Sequence, residues 1–157
     1  MKPILFLDIN GVLNSISWFR KAKGLTKHLD PACVRILQRI TMTTSCDIVI
    51  MSTWRLIHTR LEIMQALCDA GYDPPVPIIG ETPRLRTPNR IRGNEVEAWL
   101  FDTHGAASYR RNFPYCCVDD RAEYCIGQPW IQTSDEVGLT NADADAIIDR
   151  LKGRIVV

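Results

Sequence analysis

Close to its N-terminus the sequence reads Ile4-Leu5-Phe6-Leu7-Asp8-Ile9-Asn10-Gly11-Val12-Leu13, with an apolar run that ends at an acidic side chain. The pattern recurs twice: Ile48 to Met51 is followed by Ser52, and Tyr115 to Val118 is followed by Asp119-Asp120. Short continuous apolar runs are typical of strands buried on both faces of a parallel sheet. The sequence therefore predicts three such strands, each with a polar side chain directly after it.

Amphipathic segments between and after these runs predict four helices, which begin near Asp30, Ile57, Gly93 and Thr140. In the first, Asp30 suits the N-cap and Pro31 the first helical position. The second is predicted to extend to Ala70, and the last to begin with a capping box. Alternating strands and helices favour an α/β fold, a three-layer Rossmann-like parallel sheet with helices on both faces.

Two segments do not follow this alternation. Residues 14–28 are mixed and basic, and we expect a loop or a small lid after the first strand. Residues 73–88 hold five of the nine prolines, which favours a structured loop around a short strand at Pro77–Ile79. The sequence contains no internal repeat and no linker-like tract, so we predict a single domain over residues 1–157 with a minimal cap.

The overall composition excludes some classes of protein. Of 157 residues, 19 are Lys or Arg and 18 are Asp or Glu, so the net charge of +1 gives no sign of bulk attraction to nucleic acid. The net charge conceals a cancellation. Residues 1–41 carry seven basic and two acidic side chains, whereas residues 112–149 carry one basic and eight acidic side chains. Opposite charges in the two parts suit a metal ion together with an anionic substrate.

Features that the sequence lacks lead to expectations about cellular location and partners. No apolar stretch approaches the roughly 20 residues of a membrane span, so no membrane association is expected. The six cysteines have neither a zinc spacing nor a secretory signal before them, which favours reduced thiols and a cytoplasmic location. Nothing in the sequence indicates an obligate protein partner.

The polar residues after the three predicted strands point to one site. Ligands of open parallel sheets bind beyond the carboxyl ends of the strands, so Asp8, Ser52, Asp119 and Asp120 should converge if the strands are neighbours. Three carboxylates at one point repel one another unless a cation is bound or their pKa values rise. Mg²⁺, which binds carboxylate oxygens, water and substrate phosphate, is the cofactor that this set predicts.

These residues also carry a resemblance to a known superfamily. The stretch from Asp8 to Leu13 resembles the first motif of haloacid dehalogenase-like (HAD) phosphatases, Asp-x-Asp-Gly-Thr/Val. Ser52 resembles the second motif, and Asp119-Asp120 the acidic fourth. Arg92 best matches the basic third motif, usually lysine, with Arg90 as an alternative.

A narrower resemblance is to a small, nearly capless HAD branch of RNA-repair and polynucleotide-phosphatase proteins, often from phages and bacteria. It rests on four stretches, namely Leu29-Asp30-Pro31, Ser52-Thr53-Trp54-Arg55, Arg92-Gly93-Asn94-Glu95 and Gly138-Leu139-Thr140. This resemblance implies a phosphatase whose substrate is a phosphorylated small molecule, a nucleotide or a nucleic-acid end.

The HAD resemblance implies a role for each site residue. Asp8 is the expected nucleophile, which forms an aspartyl-phosphate. Asp8, Asp119 and the backbone carbonyl of Asn10 are the expected metal ligands, and Asp120 either binds through a metal water or orients Arg92. Ser52 and Arg92 are expected to bind phosphoryl oxygens.

Substrate contacts are predicted from basic and aromatic residues close to these motifs. Arginine occurs four times between positions 84 and 92 without an intervening acid, and Trp18-Phe19-Arg20-Lys21 lies in the expected lid. Such combinations suit a phosphate backbone with stacked bases. The predicted substrate-binding residues are Ser52, Thr53, Trp54, Arg55, Arg90 and Arg92.

Asn10 departs from the superfamily motif, which has aspartate there to protonate the leaving group and activate water. A carboxamide cannot move that proton, and loss of general acid–base catalysis costs about 10²–10⁴ in rate. The chain is then either a phosphatase impaired at this position, whether altered to capture a ligand or weakened in nature, or a catalytically silent phosphate- or nucleotide-binding protein.

Overall fold

The structure, a computed structural model, describes residues 2–23, 28–73, 76–88, 90–105 and 113–153. Its strands are β1 (Ile4–Leu7), β2 (Asp47–Ile50), β3 (Ile78–Glu81), β4 (Tyr115–Asp119) and β5 (Trp130–Gln132). They form one sheet in the order β3-β2-β1-β4-β5, and every neighbouring pair is parallel. β1 therefore lies at the centre of the sheet.

In the described part of the chain five α-helices accompany the sheet. They are α1 (Ile16–Lys21), α2 (Pro31–Thr44), α3 (Arg60–Asp69), α4 (Arg92–His104) and α5 (Asn141–Leu151), and a 3₁₀ helix spans Thr53–Leu56. None of these helices combines the length and the apolar composition that crossing a bilayer requires.

Alternate residues of the central strands face opposite sides of the sheet and enter two separate cores. Leu5 and Leu7 of β1 pack with the buried faces of α2, α3 and α5. Ile4 and Phe6 pack with α4 on the other side. Because strands bury side chains on both faces only when both are covered, the prediction of a three-layer Rossmann-like α/β fold is confirmed.

The predicted strands agree with the structure to within one or two residues. β1 has the predicted bounds, β2 begins one residue earlier and ends at Ile50, and β4 extends to Asp119. β3 lies at Ile78–Glu81 rather than Pro77–Ile79. β5 was not predicted, because it has three residues that are only partly buried and so lacks an apolar run.

The helix predicted from Ile57 begins later. The Thr59 hydroxyl accepts from the Glu62 backbone N–H at 3.2 Å, and the Glu62 carboxylate accepts from the Thr59 N–H at 3.1 Å. This capping box fixes the start of α3 at Arg60. The last helix has the predicted capping box of Thr140 and Asp143. In the expected lid, α1 is a short helix, and residues 24–27 lie outside the described part.

The strand order determines where a ligand can bind. The chain proceeds from β1 outward to β3 and then crosses back to β4 on the other side of β1. The direction of winding therefore reverses between β1 and β4. In open α/β sheets the crevice beyond the carboxyl ends of such a strand pair is the binding site. Asp8 and Asp119 lie at this point.

Candidate active site

Three carboxylates meet beyond β1 and β4. Asp8, Asp119 and Asp120 each place a carboxylate oxygen within 4.8 Å of the other two. Asp8 is only 4% exposed and Asp119 is fully buried, whereas Asp120 is half-buried. The structure thus brings together the three acidic residues that the sequence predicted at one site.

Burial and mutual repulsion make these carboxylates hard to ionise together. Burial raises the pKa of Asp8 to about 7, and the charge of Asp119 adds to the increase, while Arg92 opposes it. The pKa of Asp120 is also raised, first by burial and then by its contacts with Asp119. A divalent cation would relieve this repulsion, and a set of carboxylate oxygens is the donor chemistry that Mg²⁺ prefers. The residues present therefore fit that ion.

The loop after β1 approaches Asp120 so closely that only glycine fits. Gly11 has φ +79°, and a Cβ atom there would lie 2.5 Å from the Asp120 Cγ. The backbone carbonyl of Gly11 accepts a 2.7 Å hydrogen bond from the Thr133 hydroxyl, and its N–H donates to the Asn14 Oδ1 at 3.0 Å. These contacts hold the motif in one conformation beside the carboxylates.

The Asn10 side chain is held by its oxygen. Its Oδ1 accepts hydrogen bonds from the Asn14 Nδ2 at 3.0 Å and from the Trp54 indole N–H at 3.2 Å. Two donors on one atom identify that atom as the oxygen of the carboxamide. Trp54, predicted to contact substrate, is therefore also a contact of the motif residue at position 10.

Ser52 lies directly after β2 with its hydroxyl at the start of the 3₁₀ helix. Its Oγ accepts from the Trp54 backbone N–H at 3.2 Å, and the side chain is buried. A hydroxyl that accepts one hydrogen bond still has its own hydrogen to donate. The neighbouring Thr53 is exposed.

Arg92, rather than Arg90, lies against the carboxylates. Its guanidinium places Nη2 at 3.6 Å from the Asp8 Oδ1 and Nε at 3.8 Å from the Asp119 Oδ2. Nη1 donates to the backbone carbonyl of Met51. Arg90 is exposed on the segment before α4. Arg92 is the first residue of α4, so the start of that helix delivers the positive charge to the site.

The model of one known protein family covers most of the chain. The model of the family described as "HAD domain in Swiss Army Knife RNA repair proteins" matches residues 4–144. The chain belongs to this family. The match confirms the predicted HAD resemblance and its RNA-repair branch. No curated protein and no solved structure matched the chain.

Arg55, a predicted substrate contact of this HAD domain, already uses each of its guanidinium nitrogens in hydrogen bonds within the protein. The Arg55 side chain is 4% exposed, and its Nη2 donates to the Glu95 carboxylate at 2.9 Å. Its Nε donates to the Thr82 carbonyl and its Nη1 to the carbonyls of Met51 and Ser52, at 2.6–2.9 Å. Arg55 thereby joins the ends of β2 and β3 to α4, and we leave it out of the proposed substrate contacts.

The HAD domain also has a site residue that sequence reasoning missed. The Tyr124 hydroxyl donates to the Asp119 Oδ2 at 2.8 Å, and its ring stacks on Trp130 with centroids 5.0 Å apart. Burial raises the pKa of Tyr124 above its usual range, so the hydroxyl stays a neutral donor. Tyr124 lies outside every motif and every regular element, and only its position in space connects it to Asp119.

Proposed function

We propose that this HAD domain is a Mg²⁺-dependent phosphomonoesterase that acts on the phosphate at a nucleic-acid end, with Asp8 as the nucleophile. The observation that carries the proposal is the set of three carboxylates at the β1–β4 crevice with Arg92 between two of them. Membership of a family of RNA-repair domains supports a nucleic-acid end as the substrate.

The metal is assigned to residues that the chain supplies. Asp8, Asp119 and Asp120 are proposed to hold Mg²⁺ together with the backbone carbonyl of Asn10. When bound, the ion would neutralise charge on the phosphate and help to hold it in line for attack. Tyr124 keeps the Asp119 carboxylate in position through its 2.8 Å hydrogen bond.

The reaction divides into two displacements at phosphorus. A carboxylate oxygen of Asp8 attacks the phosphorus, and the bond to the leaving oxygen of the nucleic acid breaks. Water then attacks the aspartyl-phosphate, which releases inorganic phosphate and regenerates Asp8. In both steps Arg92 and the Ser52 hydroxyl stabilise the phosphoryl oxygens by charge and by hydrogen bonding.

Both displacements need a proton to move, and Asn10 is where HAD phosphatases have the acid that moves it. The leaving oxygen must gain a proton in the first step, and the attacking water must lose one in the second. The Asn10 carboxamide can do neither, which lowers the rate by about 10²–10⁴. The present chain is thus proposed to be a slow enzyme with an otherwise complete site.

A second candidate function is a catalytically silent phosphate-binding protein. The observation in its favour is that the Asn10 oxygen already has two donors, from Asn14 and Trp54. A carboxamide held in this way suits a site that binds phosphate reversibly without transferring it. The two candidates differ in whether phosphate is transferred to Asp8.

The decisive experiment is the substitution Asn10→Asp. We expect phosphate release from an aryl phosphate and from terminally phosphorylated oligonucleotides to rise by about 10²–10⁴ with Mg²⁺ present, because a proton shuttle is restored. The control is Asp8→Asn in the same background, which removes the nucleophile and should abolish release.

Mass spectrometry of the unsubstituted chain after exposure to substrate separates the two candidates further. An added phosphate on Asp8 supports the enzyme, because this intermediate forms only if Asp8 attacks the phosphorus. Reversible binding without transfer, or no activity from Asn10→Asp on any of these substrates, would show that the phosphatase proposal is wrong.

A further inference from the structure

A second pocket adjoins the carboxylate site on the side of α4. It has a volume of about 250 Å³, and its lining includes Thr53, Arg90, Arg92, Arg121 and Glu123. We call it the arginine pocket. Two of its residues directly follow residues of the carboxylate site in sequence, since Thr53 follows Ser52 and Arg121 follows Asp120. A third, Arg92, belongs to both sites, and it therefore borders the arginine pocket and the carboxylate of Asp8.

Some charged side chains of the arginine pocket form ion pairs and others do not. Glu95 and Arg55, which also line it, neutralise each other in a buried ion pair. Arg90 and Arg121 are exposed, and within the described residues neither side chain lies within ion-pair distance of a carboxylate. At longer range the charge of Arg121 acts on Asp120 and opposes the rise in the pKa of that carboxyl. Glu123 opposes the two arginines with one negative charge. The balance favours an anion.

The backbone adds to this preference. α4 begins at the pocket, where its Gly93 N–H already donates to the Glu123 backbone carbonyl at 2.8 Å, so the helix acts on the pocket through its dipole and not through that N–H. The positive end of a helix dipole and the arginine side chains therefore act on the same space. Arginine offers a planar fork of donors that matches a phosphate.

We propose that the arginine pocket binds a second phosphate of the substrate, the internucleotide phosphate next to the terminal one. The inference rests on the proposed function and narrows it, because it makes a strand end a better ligand than a nucleoside monophosphate. Arg90 and Arg121 supply the contacts, and Arg92 separates this phosphate from the one at Asp8.

Calorimetric binding to the unsubstituted chain with Mg²⁺ tests the inference without any need for turnover. The probes are a nucleoside monophosphate, a nucleoside 3′,5′-bisphosphate, and dinucleotides phosphorylated at the 5′ or the 3′ end. We expect one of the dinucleotides to bind at least tenfold more tightly than the monophosphate. Arg90→Gln and Arg121→Gln should each remove three- to tenfold of that gain, because a charge-assisted contact is lost.

Arg86→Gln is the matched control, since Arg86 is an exposed arginine of the same segment that does not line the arginine pocket. It should leave the dinucleotide gain intact. In the pocket variants the negative slope of log affinity against log salt concentration should become less steep by about 0.7 for each lost contact, which is the contribution of one phosphate contact to single strands. If the bisphosphate shows the same gain in affinity over the monophosphate, the arginine pocket binds any second phosphate. If only a dinucleotide shows the gain, the pocket binds the internucleotide linkage.

No gain for any of the three probes that carry two phosphates, or a gain that survives both pocket substitutions, would overturn the inference. That outcome is distinct from failure of the proposed function, which is measured by phosphate release from Asn10→Asp on an aryl phosphate that has no second phosphate.

Discussion

At the scale of single residues, the site depends on a few close contacts around the residues that follow Asp8. Gly11 combines a positive φ with a close approach to Asp120. Thr133 satisfies the Gly11 carbonyl from a distant part of the chain, 122 residues away in sequence. Asn10 is held through its oxygen by Trp54 and Asn14. The geometry of the carboxylates is thus fixed largely by neighbours that perform no chemistry.

The substitution Gly11→Ala tests the close approach. An alanine at positive φ costs about 1–2 kcal/mol, and its Cβ would also displace the Asp120 side chain. We therefore expect a loss of both stability and Mg²⁺ affinity, measured by urea unfolding and by metal titration. Gly71→Ala is the control, because Gly71 has φ +100° and open space around it, so that only stability should fall. Unchanged Mg²⁺ affinity in Gly11→Ala would contradict the assignment.

Two buried threonines give opposite expectations for the same change. In the described part of the chain the Thr82 Oγ1 has no hydrogen-bond partner, whereas the Thr133 hydroxyl donates to Gly11. Thr82→Val removes an unsatisfied polar atom and should stabilise the protein by about 1 kcal/mol. Thr133→Val leaves a buried carbonyl unpaired and should cost about 1–3 kcal/mol. Urea unfolding measures both, and equal effects would contradict this description.

At the scale of elements, α4 does most to assemble the site. Gly93 lets it pack tightly, since a Cβ there would lie 2.3 Å from the Gln128 Oε1. Glu95, one turn into the helix, accepts from Arg55 and from the Leu85 backbone N–H at 3.2 Å. α4 is thereby joined to the ends of β2 and β3 and to the segment before it. This attachment positions Arg92 against Asp8.

The Arg55–Glu95 ion pair should be strongly coupled. Both side chains are almost fully buried, at 4% and 5% exposure, so removing one leaves a buried charge without its partner. We expect Glu95→Leu to cost about 3–5 kcal/mol, and the double variant with Arg55→Met to cost less than the sum of the single ones. The exposed pair Arg20–Glu136 is the control, for which coupling should stay below about 1 kcal/mol. Additive effects at the buried pair would contradict the expectation.

The helix starts show how far local sequence determines an element. The capping box at Thr140 and the Asp30-Pro31 start were predicted correctly, because the interacting groups lie within three residues of each other. The start of α3 was predicted too early, since apolar periodicity continues through Ile57 while the capping box of Thr59 and Glu62 sets the boundary. β5 escaped prediction because a short edge strand has too few buried residues to leave a pattern.

At the scale of the whole molecule, the sheet order brings together carboxylates that are 111 residues apart in sequence, from Asp8 to Asp119. β1 and β4 are hydrogen-bonded neighbours, so their carboxyl ends share one crevice. The opposite charges of residues 1–41 and 112–149 do not explain the site, because Arg90 and Arg92 lie in neither segment and Arg121 lies in the acidic one. Acidic residues surround the proposed metal site, and arginines line the adjoining pocket.

Stability should depend on pH through Asp8. Its folded-state pKa of about 7 exceeds the ordinary value of 3.8, so the folded state favours the neutral carboxyl. This contribution to stability is complete below pH 4 and is lost as the pH rises through 7. Without divalent ions, the unfolding free energy of Asp8→Asn should therefore exceed that of the unsubstituted chain increasingly between pH 4 and 8.

Mg²⁺ should reverse that difference, because it binds the ionised carboxylates. The increase in Tm on adding Mg²⁺ should be larger at pH 8 than at pH 5, and should be smaller in Asp8→Asn. Calorimetry across this pH range checks both expectations. A Tm that is insensitive to Mg²⁺ at pH 8 would contradict the proposed metal site.

Local sequence patterns were sufficient to predict the α/β class, the strands β1, β2 and β4, the polar residues at their ends and the family to which the chain belongs. These features depend on local patterns of burial and on a short motif, which can be read along the chain. The fold was needed to show that Arg92 rather than Arg90 lies at the carboxylates and that Tyr124 contacts Asp119. It also showed that Arg55 joins the ends of β2 and β3 to α4 by hydrogen bonds. The physical reason is that each of these assignments depends on side chains from separate elements, whose distances are set by packing rather than by spacing in sequence.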